Sequence, residues 1–430
     1  MKAKTTTRLF LLSLLFITVV SELNAQFIFS GQYRPRAEYR HGFSTLPDVD
    51  QDPAFFIDQR ARINLVYLSD KYEVKFIIQD VRTWGSQSQL VTDDGNLTTL
   101  HEGWAKIKFD EKWFLKMGRQ EIIYDDQRIF GNVGWLQQAR SHDAAIGGYN
   151  HNGFRAELAL AFNQDGPQVN TNFYSVPRSY KTLQSLWMNK KFNEKTNASF
   201  LFLNLGQQGG TPADSETFFS QTIGGRIEHL SNPLKVDAAV YLQTGEDESG
   251  NGLSAILFSM NGFYTLSNKH ILGAGFEFIS GNDQVNPDAD NQAFNPFFGT
   301  NHKFNGLMDY FYVGNHINSV GLKDLQFSYG NKLSEKWTAT AALHFFYSDG
   351  EILDPGTSEG MDLYLGTELD ITTKVKLMDD VTLEGGYSQI FASDSMEELK
   401  GGSKDETSNW GWVMITFNPH FFTFDPKKKD

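Results

Sequence analysis

Positions 31 to 40 alternate without a break. Gln32, Arg34, Arg36, Glu38 and Arg40 occupy one parity, and Gly31, Tyr33, Pro35, Ala37 and Tyr39 the other. A period of two separates the faces of a β-strand, so this segment predicts a strand between two unlike environments. Residues 56 to 68 repeat it, with Asp58, Arg60, Arg62 and Asn64 opposite Ile57, Ala61, Ile63 and Leu65. Residues 154 to 163 do so again, with Arg155 and Glu157 opposite Phe154, Ala156, Leu158, Leu160 and Phe162. Further strand-like segments run over 186–192, 198–205, 221–229, 236–244, 255–264, 271–280, 325–331, 338–347, 361–371, 381–390 and 410–417. No apolar stripe of helical period and useful length interrupts them.

In a soluble sandwich the ionic face of such strands meets water. Three arginines and a glutamate on one face fit better inside a membrane barrel, whose polar face lines the lumen. The connections support this. Residues 193–196, 231–233, 267–269 and 333–336 are tight turns, whereas 164–181, 245–252, 281–305, 349–360 and 393–408 are long and rich in Gly, Asn and Asp. The prediction is an all-β fold: a single transmembrane antiparallel β-barrel of about 18 strands, with short periplasmic turns and long extracellular loops.

Lys2, Lys4 and Arg8 precede an apolar run from Leu9 to Val20, and the polar stretch that follows ends at Ala25. This is the pattern of a signal peptide over residues 1–25, leaving residues 26–430 as the barrel. The expected location is the cell outer membrane, with outer-membrane lipid and the barrel assembly machinery as partners. Aromatic residues make up 14% of the chain, with 36 Phe, yet mean hydropathy is negative. Half of each barrel strand faces water while the lipid face needs aromatics, which reconciles the two. A large secreted β-sandwich or solenoid shares this composition. The formal net charge of −14 argues against nucleic-acid binding. The charge is unevenly placed: all twelve arginines after the leader lie between Arg34 and Arg226. That predicts a lopsided pore with one basic wall.

The chain has no cysteine, which excludes disulfides, zinc–thiolate sites and cysteine nucleophiles. No catalytic constellation is read, so no enzyme is expected. His101-Glu102 lacks a second ligand histidine, and Ser141, His142 and Asp143 are consecutive, so their side chains diverge. Gly273-Ala274-Gly275 lies in a strand without the helix a phosphate loop needs. Asp288, Asp290 and Asn291 lack the glycine and distal glutamate of a calcium loop. No metal or cofactor is expected.

The densest local signal is residues 116–131, within which GRQEIIYDDQRIFG spans 118–131, preceded by QDVRTWG and followed by SHDAA. Arg119 and Arg128 fall on opposite parities, and a bulge or strand end near residues 124–126 would bring both to one side. These stretches resemble the alginate export family of outer-membrane proteins. FFGTNHKFNGLMDYFYVG, residues 297–314, resembles a stretch of that family's Bacteroidota-type members. The resemblance implies an eighteen-stranded monomeric barrel with an arginine-lined pore through which a polyuronate leaves the periplasm, and periplasmic export proteins as possible partners. By motif position it implies Arg82, Arg119, Glu121, Asp125, Asp126, Arg128 and the His142-Asp143 pair as lumen residues, with Lys303 and Asp309 on a loop or returning strand. The chain ends beyond any strand-terminal aromatic, so Phe417, Phe421, Phe422 and Phe424 compete for that role.

The expected solute path comprises Arg34, Arg36, Glu38, Arg40, Asp58, Arg60, Arg62, Arg82, Arg119, Glu121, Asp125, Asp126, Arg128 and Arg155. Fixed cations replace the water a carboxylate loses in a narrow pore, and arginine stays charged while pairing bidentately. Carboxylates between the arginines keep an anionic solute from sticking. The expected function is passive conduction of an anionic solute, alginate-type polyuronate above all. The alternative is a general or nutrient-uptake porin for small anionic solutes or sugars, in which the arginine and glutamate ladders mainly fix strand register.

Overall fold

The computed structural model describes residues 25–90, 95, 97–176 and 179–425; all but the last residue of the expected leader lies outside the described residues. Among the described residues nineteen strands form one antiparallel sheet in which consecutive strands pair, apart from the last two, which both pair with the first. β1 (Ala25–His41) closes the barrel, pairing with β2 (Ala54–Ser69) on one side and with both β18 (Ser408–Phe417) and β19 (His420–Phe424) on the other. β18 and β19 are two halves of one stave, interrupted at Asn418-Pro419 because proline has no N–H to give the ladder. The Pro419 carbonyl still accepts from the Gly31 N–H at 2.9 Å. The barrel therefore has eighteen staves. Past the break, Phe421 and Phe422 pack on Phe29 and Phe27 across the seam, with ring centroids 4.8 and 6.0 Å apart.

Both ends of the described chain lie at the end of short turns, such as 70–71, 152–153 and 232–233. The other end carries the long connections 42–53, 121–141, 163–181, 280–321, 348–363 and 393–407, with shorter ones at 212–213 and 247–251. The outward parity exposes Phe76, Ile78, Met117, Leu158, Leu160, Val240, Leu242 and Phe327. An apolar band of that extent suits lipid and not water. Among the described residues no helix is long and apolar enough to cross a membrane.

The hydrophobic core lies inside the barrel. Loops 121–141 and 280–321 fold inward and join: the Gly131 N–H donates to the Phe298 carbonyl at 2.8 Å, and the Phe298 N–H to Ile129 at 3.1 Å. Ile122, Tyr124, Ile129, Phe130, Phe294, Met308, Tyr310 and Phe311 are buried at this junction and along the walls. The second loop starts and ends where Gly281 and Gly321 meet backbone to backbone; a Cβ on either collides with the other. It is tied across the lumen to β16 (Tyr364–Met378) by the Met308 N–H on Glu368 Oε1 at 2.9 Å, and to loop 42–53 by the Tyr310 hydroxyl on the Gly42 carbonyl at 2.6 Å. A short helix, α1 (Asp394–Lys400), is N-capped by Ser393 and buries Met396 against the same mass.

Candidate functional site

Gln32, Arg34, Arg36, Glu38 and Arg40 on β1, and Asp58, Arg60 and Arg62 on β2, face the lumen. Most of their donors are already engaged. Arg34 donates to the Gly134 and Trp135 carbonyls at 2.8 and 3.0 Å and to Gln137 Oε1. Arg36 donates to the Trp135 carbonyl at 2.8 Å, to Glu38 at 2.7 Å and to Asp58 at 3.1 Å. Arg60 reaches Gln32 at 2.8 Å and the Gln137 carbonyl at 3.2 Å. Residues 134–137 form neither helix nor sheet, so their buried carbonyls need outside donors, and the arginine ladder supplies them. Arg40 pairs with Glu38 at 2.8 Å, and Glu38 also accepts from the Trp410 indole at 3.0 Å. Arg62 donates to Gln79 at 3.0 Å and keeps one buried amino group without a hydrogen-bond partner.

The motif loop is equally committed. Arg128 bridges Asp126 at 3.0 Å and Glu277 on the far wall, in β13 (His270–Ile279), while its guanidinium lies 4.1 Å from the Phe304 ring centre. Asp126 also faces Arg226 of β10 (Asp214–Ser231) at 3.7 Å, and Asp125 accepts from the Trp187 indole at 3.1 Å. In the second motif, Lys303 donates to the Asp126 carbonyl at 3.0 Å and Asp309 meets His302 at 2.6 Å, so both sit on the inward loop. Glu121 accepts from His101 and Asn132 at 2.7 and 3.0 Å, and the other His101 nitrogen lies 3.2 Å from Ser141 Oγ. Ser141 thus meets an imidazole from β4 (Thr98–Lys108) and not its sequence neighbour, tying both ends of loop 121–141 to the wall.

Two of the expected path residues stand elsewhere. On β3 (Tyr72–Thr83), Arg82 shares the outward parity of Phe76 and Ile78 and pairs with Asp80 on that face. On β5 (Trp113–Gln120), Arg119 shares the parity of Leu115 and Met117 and pairs with Asp143 at 2.8 Å, 41% exposed. Both lie near the long-loop end, where the outer face leaves the apolar band and turns polar. The strand end at Gln120 does not bring Arg119 and Arg128 together: one is on the outer rim, the other buried in the lumen. The carried-over pair is split too, with His142 inward and Asp143 outward on β6 (His142–His151).

Sequence reasoning missed Lys106, Trp104 and Phe114, and gave Lys116, the first residue of the densest stretch, no role. With Arg155 and Glu157 of β7 (Phe154–Phe162) they line a cavity of about 230 Å³ on the short-turn side of loop 121–141. Lys116 holds its ammonium 4.3 Å from the Trp104 ring centre, and Lys106 lies 4.6 Å from that of Phe114. Gly148 lies across the ladder from Phe114, and any Cβ there collides with the ring. The cavity's carboxylates are internally satisfied: Glu157 by Arg155 and the Tyr124 hydroxyl, Glu73 by Lys108, and Glu121 by His101 and Asn132. Lys116 has no ion pair among the described residues, and Arg155 is half exposed. The cavity therefore offers donors beside aromatic faces while its acceptors are filled. The parity signal for Lys106 and Lys116 was present, but each strand is short and its lysines alternate with few other charges.

A second cavity of about 450 Å³ lies toward the long-loop end, lined by Arg140, Ser141, His142, Asn163, Tyr174, Tyr180 and Phe298 among others. Between the two runs an apolar partition. Ile122, Phe130 and Ile146 are each under 5% exposed, and the Phe130 and Phe298 rings lie 5.4 Å apart.

The family model described as alginate export matches residues 25–408. No curated protein matches the chain at a significant level. Among solved structures it is similar to OccK11 (OpdR) of Pseudomonas aeruginosa, with TM-score 0.61 and 12% identity over 92% of this chain and 96% of that one. It is similar also to OccAB1 of Acinetobacter baumannii, with TM-score 0.62 and 13% identity over 92% and 97%. At such identities the likeness speaks for the fold alone.

Proposed function

Because this chain belongs to the alginate export family and is an outer-membrane β-barrel channel, we propose that it passively conducts anionic saccharides, alginate-type polyuronate first among them. The observation that carries this reading is the donor-rich cavity of Lys106, Lys116 and Arg155 beside Trp104 and Phe114. A uronate presents a carboxylate to cations and a ring face to aromatic carbons, and this wall supplies both. The solute path follows β4–β7 and not the β1–β2 ladder, where the arginines serve loop 121–141. Family and fold are those of passive outer-membrane channels and not of enzymes.

A second reading, uptake of small carboxylated sugars, is favoured by the two inward loops. A cavity of about 230 Å³ is smaller than sites for drug-sized ligands, which suits a single sugar ring. In either reading the barrel depends on the assembly machinery for insertion, and export adds periplasmic partners at the short-turn end.

The test is conductance of the purified protein in planar bilayers across a potassium chloride gradient, with oligomannuronate added. An anion-preferring reversal potential and block that lengthens with oligomer length support polyuronate passage. Block by monomeric glucuronate alone supports the small-solute reading, and cation preference removes both.

A further inference from the structure

The second cavity holds a cation that the rest of the molecule leaves uncompensated. Arg140 donates one bond, from Nη1 to the Gly299 carbonyl at 3.1 Å, and its guanidinium lies 6.0 Å from the Phe298 ring centre. No carboxylate lies within ion-pair distance of it among the described residues; Asp143, on the same cavity, is taken by Arg119 at 2.8 Å. A guanidinium has five N–H donors, so most of this one's are open. Its base is fixed: the Arg140 N–H bonds the Asn132 carbonyl at 2.7 Å, and Ala139 before it has φ +56°. Burial with no counter-ion lowers its pKa to about 10, a cost an anion would relieve.

The surroundings define the anion. The ladder between β6 and β7 starts only at Ala145 and Leu160, so His142, Asp143 and Ala144 border an opening in the wall that loop 163–181 covers. Tyr180 hydrogen-bonds His142 at 3.0 Å and Asn163 at 3.1 Å, presenting its ring beside Phe298 at 5.4 Å. Aromatic faces, amide and hydroxyl groups and one unpaired guanidinium fit a carboxylated sugar ring better than an alkyl acid or an inorganic ion. The volume of about 450 Å³ falls in the range of small-molecule sites.

We propose that this cavity is a second, loop-side binding site for a uronate residue, with Arg140 as the partner of its carboxylate. It lies across the apolar partition from the Lys116 cavity. This rests on the proposed conduction of anionic saccharides and adds a named station on that route.

The probe is trigalacturonate, with maltotriose as the uncharged control, added to each side of a bilayer holding the full-length channel. Sidedness is read from Val176→Cys, whose thiol at the cavity rim is reached by an impermeant reagent from the loop side. Trigalacturonate is expected to block from the loop side and maltotriose not to. Arg140→Gln is expected to weaken that block at least tenfold. Val176→Asp, which sets a carboxylate at an exposed rim position away from the core, is expected to do the same, and it covers the case in which Arg140→Gln does not fold. Unchanged loop-side block in the folded variants overturns the site while leaving the wild-type anion preference standing. Cation preference of the wild type instead defeats the conduction reading itself. Equal block by maltotriose overturns the role of the carboxylate.

Discussion

Arg36 and Trp135 meet twice: the guanidinium donates to the Trp135 carbonyl at 2.8 Å and lies 4.0 Å from the centre of its indole. One residue of the wall thereby fixes both the backbone and the side chain of the inward loop. Trp135 also stacks on His302 of the other loop at 4.5 Å, so the clamp reaches both. The arginine ladder is thus a scaffold for the inward loops before it is anything else.

Arg34→Ala tests the clamp without stranding a carboxylate, because its partners are carbonyls and an amide. Hydrogen bonds to charged groups contribute about 1.5–3 kcal/mol each, and water replaces some of those lost here. The variant should lose about 3 kcal/mol of unfolding free energy in lipid vesicles. Its single-channel current should be larger and noisier as residues 134–137 come loose. An unchanged, quiet current contradicts the clamp.

Arg128→Ala leaves Glu277 buried without its cation and should cost about 3–5 kcal/mol, measured by urea unfolding. The double change Arg128→Met with Glu277→Leu removes both charges and should recover most of that loss. Failure of the pair to recover would show that the network with Asp126 and Arg226, and not this ion pair, carries the stability.

Arg119→Ala should change stability by less than about 1 kcal/mol, as for exposed ion pairs. A larger loss of unfolding free energy would show that the Arg119–Asp143 pair braces the rim of the second cavity.

Lys400, at the end of α1, is partly buried and lies 5.3 Å from the Phe311 ring centre; burial lowers its pKa from 10.5 to about 7. The unfolded chain therefore holds this proton between about pH 7 and 10.5 while the folded chain releases it. The penalty is full below pH 7 and shrinks as pH rises through that window. Lys400→Met should raise the melting temperature more at pH 6 than at pH 10. An equal gain at both would show that Lys400 is solvated.

Much of the barrel was legible because strand period and lumen polarity coincide over residues 31–40, 56–68 and 154–163. Motif position put Arg82 and Arg119 in the lumen, whereas their parity puts them outside. Near the rim the outer face meets headgroups, so a charge there no longer marks the lumen, although each residue continues the parity of Ile78 or Met117. The inward loops were missed for another reason: their apolar residues follow no period. The signal was density, since Phe294, Phe297, Phe298, Leu307, Met308, Tyr310 and Phe311 crowd one connection between strands, which makes sense only if it is buried. The clamp was not legible, because its acceptors are backbone carbonyls that any sequence carries.

On the proposed route, solute passes along the β4–β7 wall beside Lys116. The chain has no cysteine, so Lys116→Cys offers a single thiol. Treating the open channel of that variant with a negatively charged methanethiosulfonate should abolish most of the current and its anion preference. Complete modification, verified by mass, with current and selectivity unchanged would contradict the account.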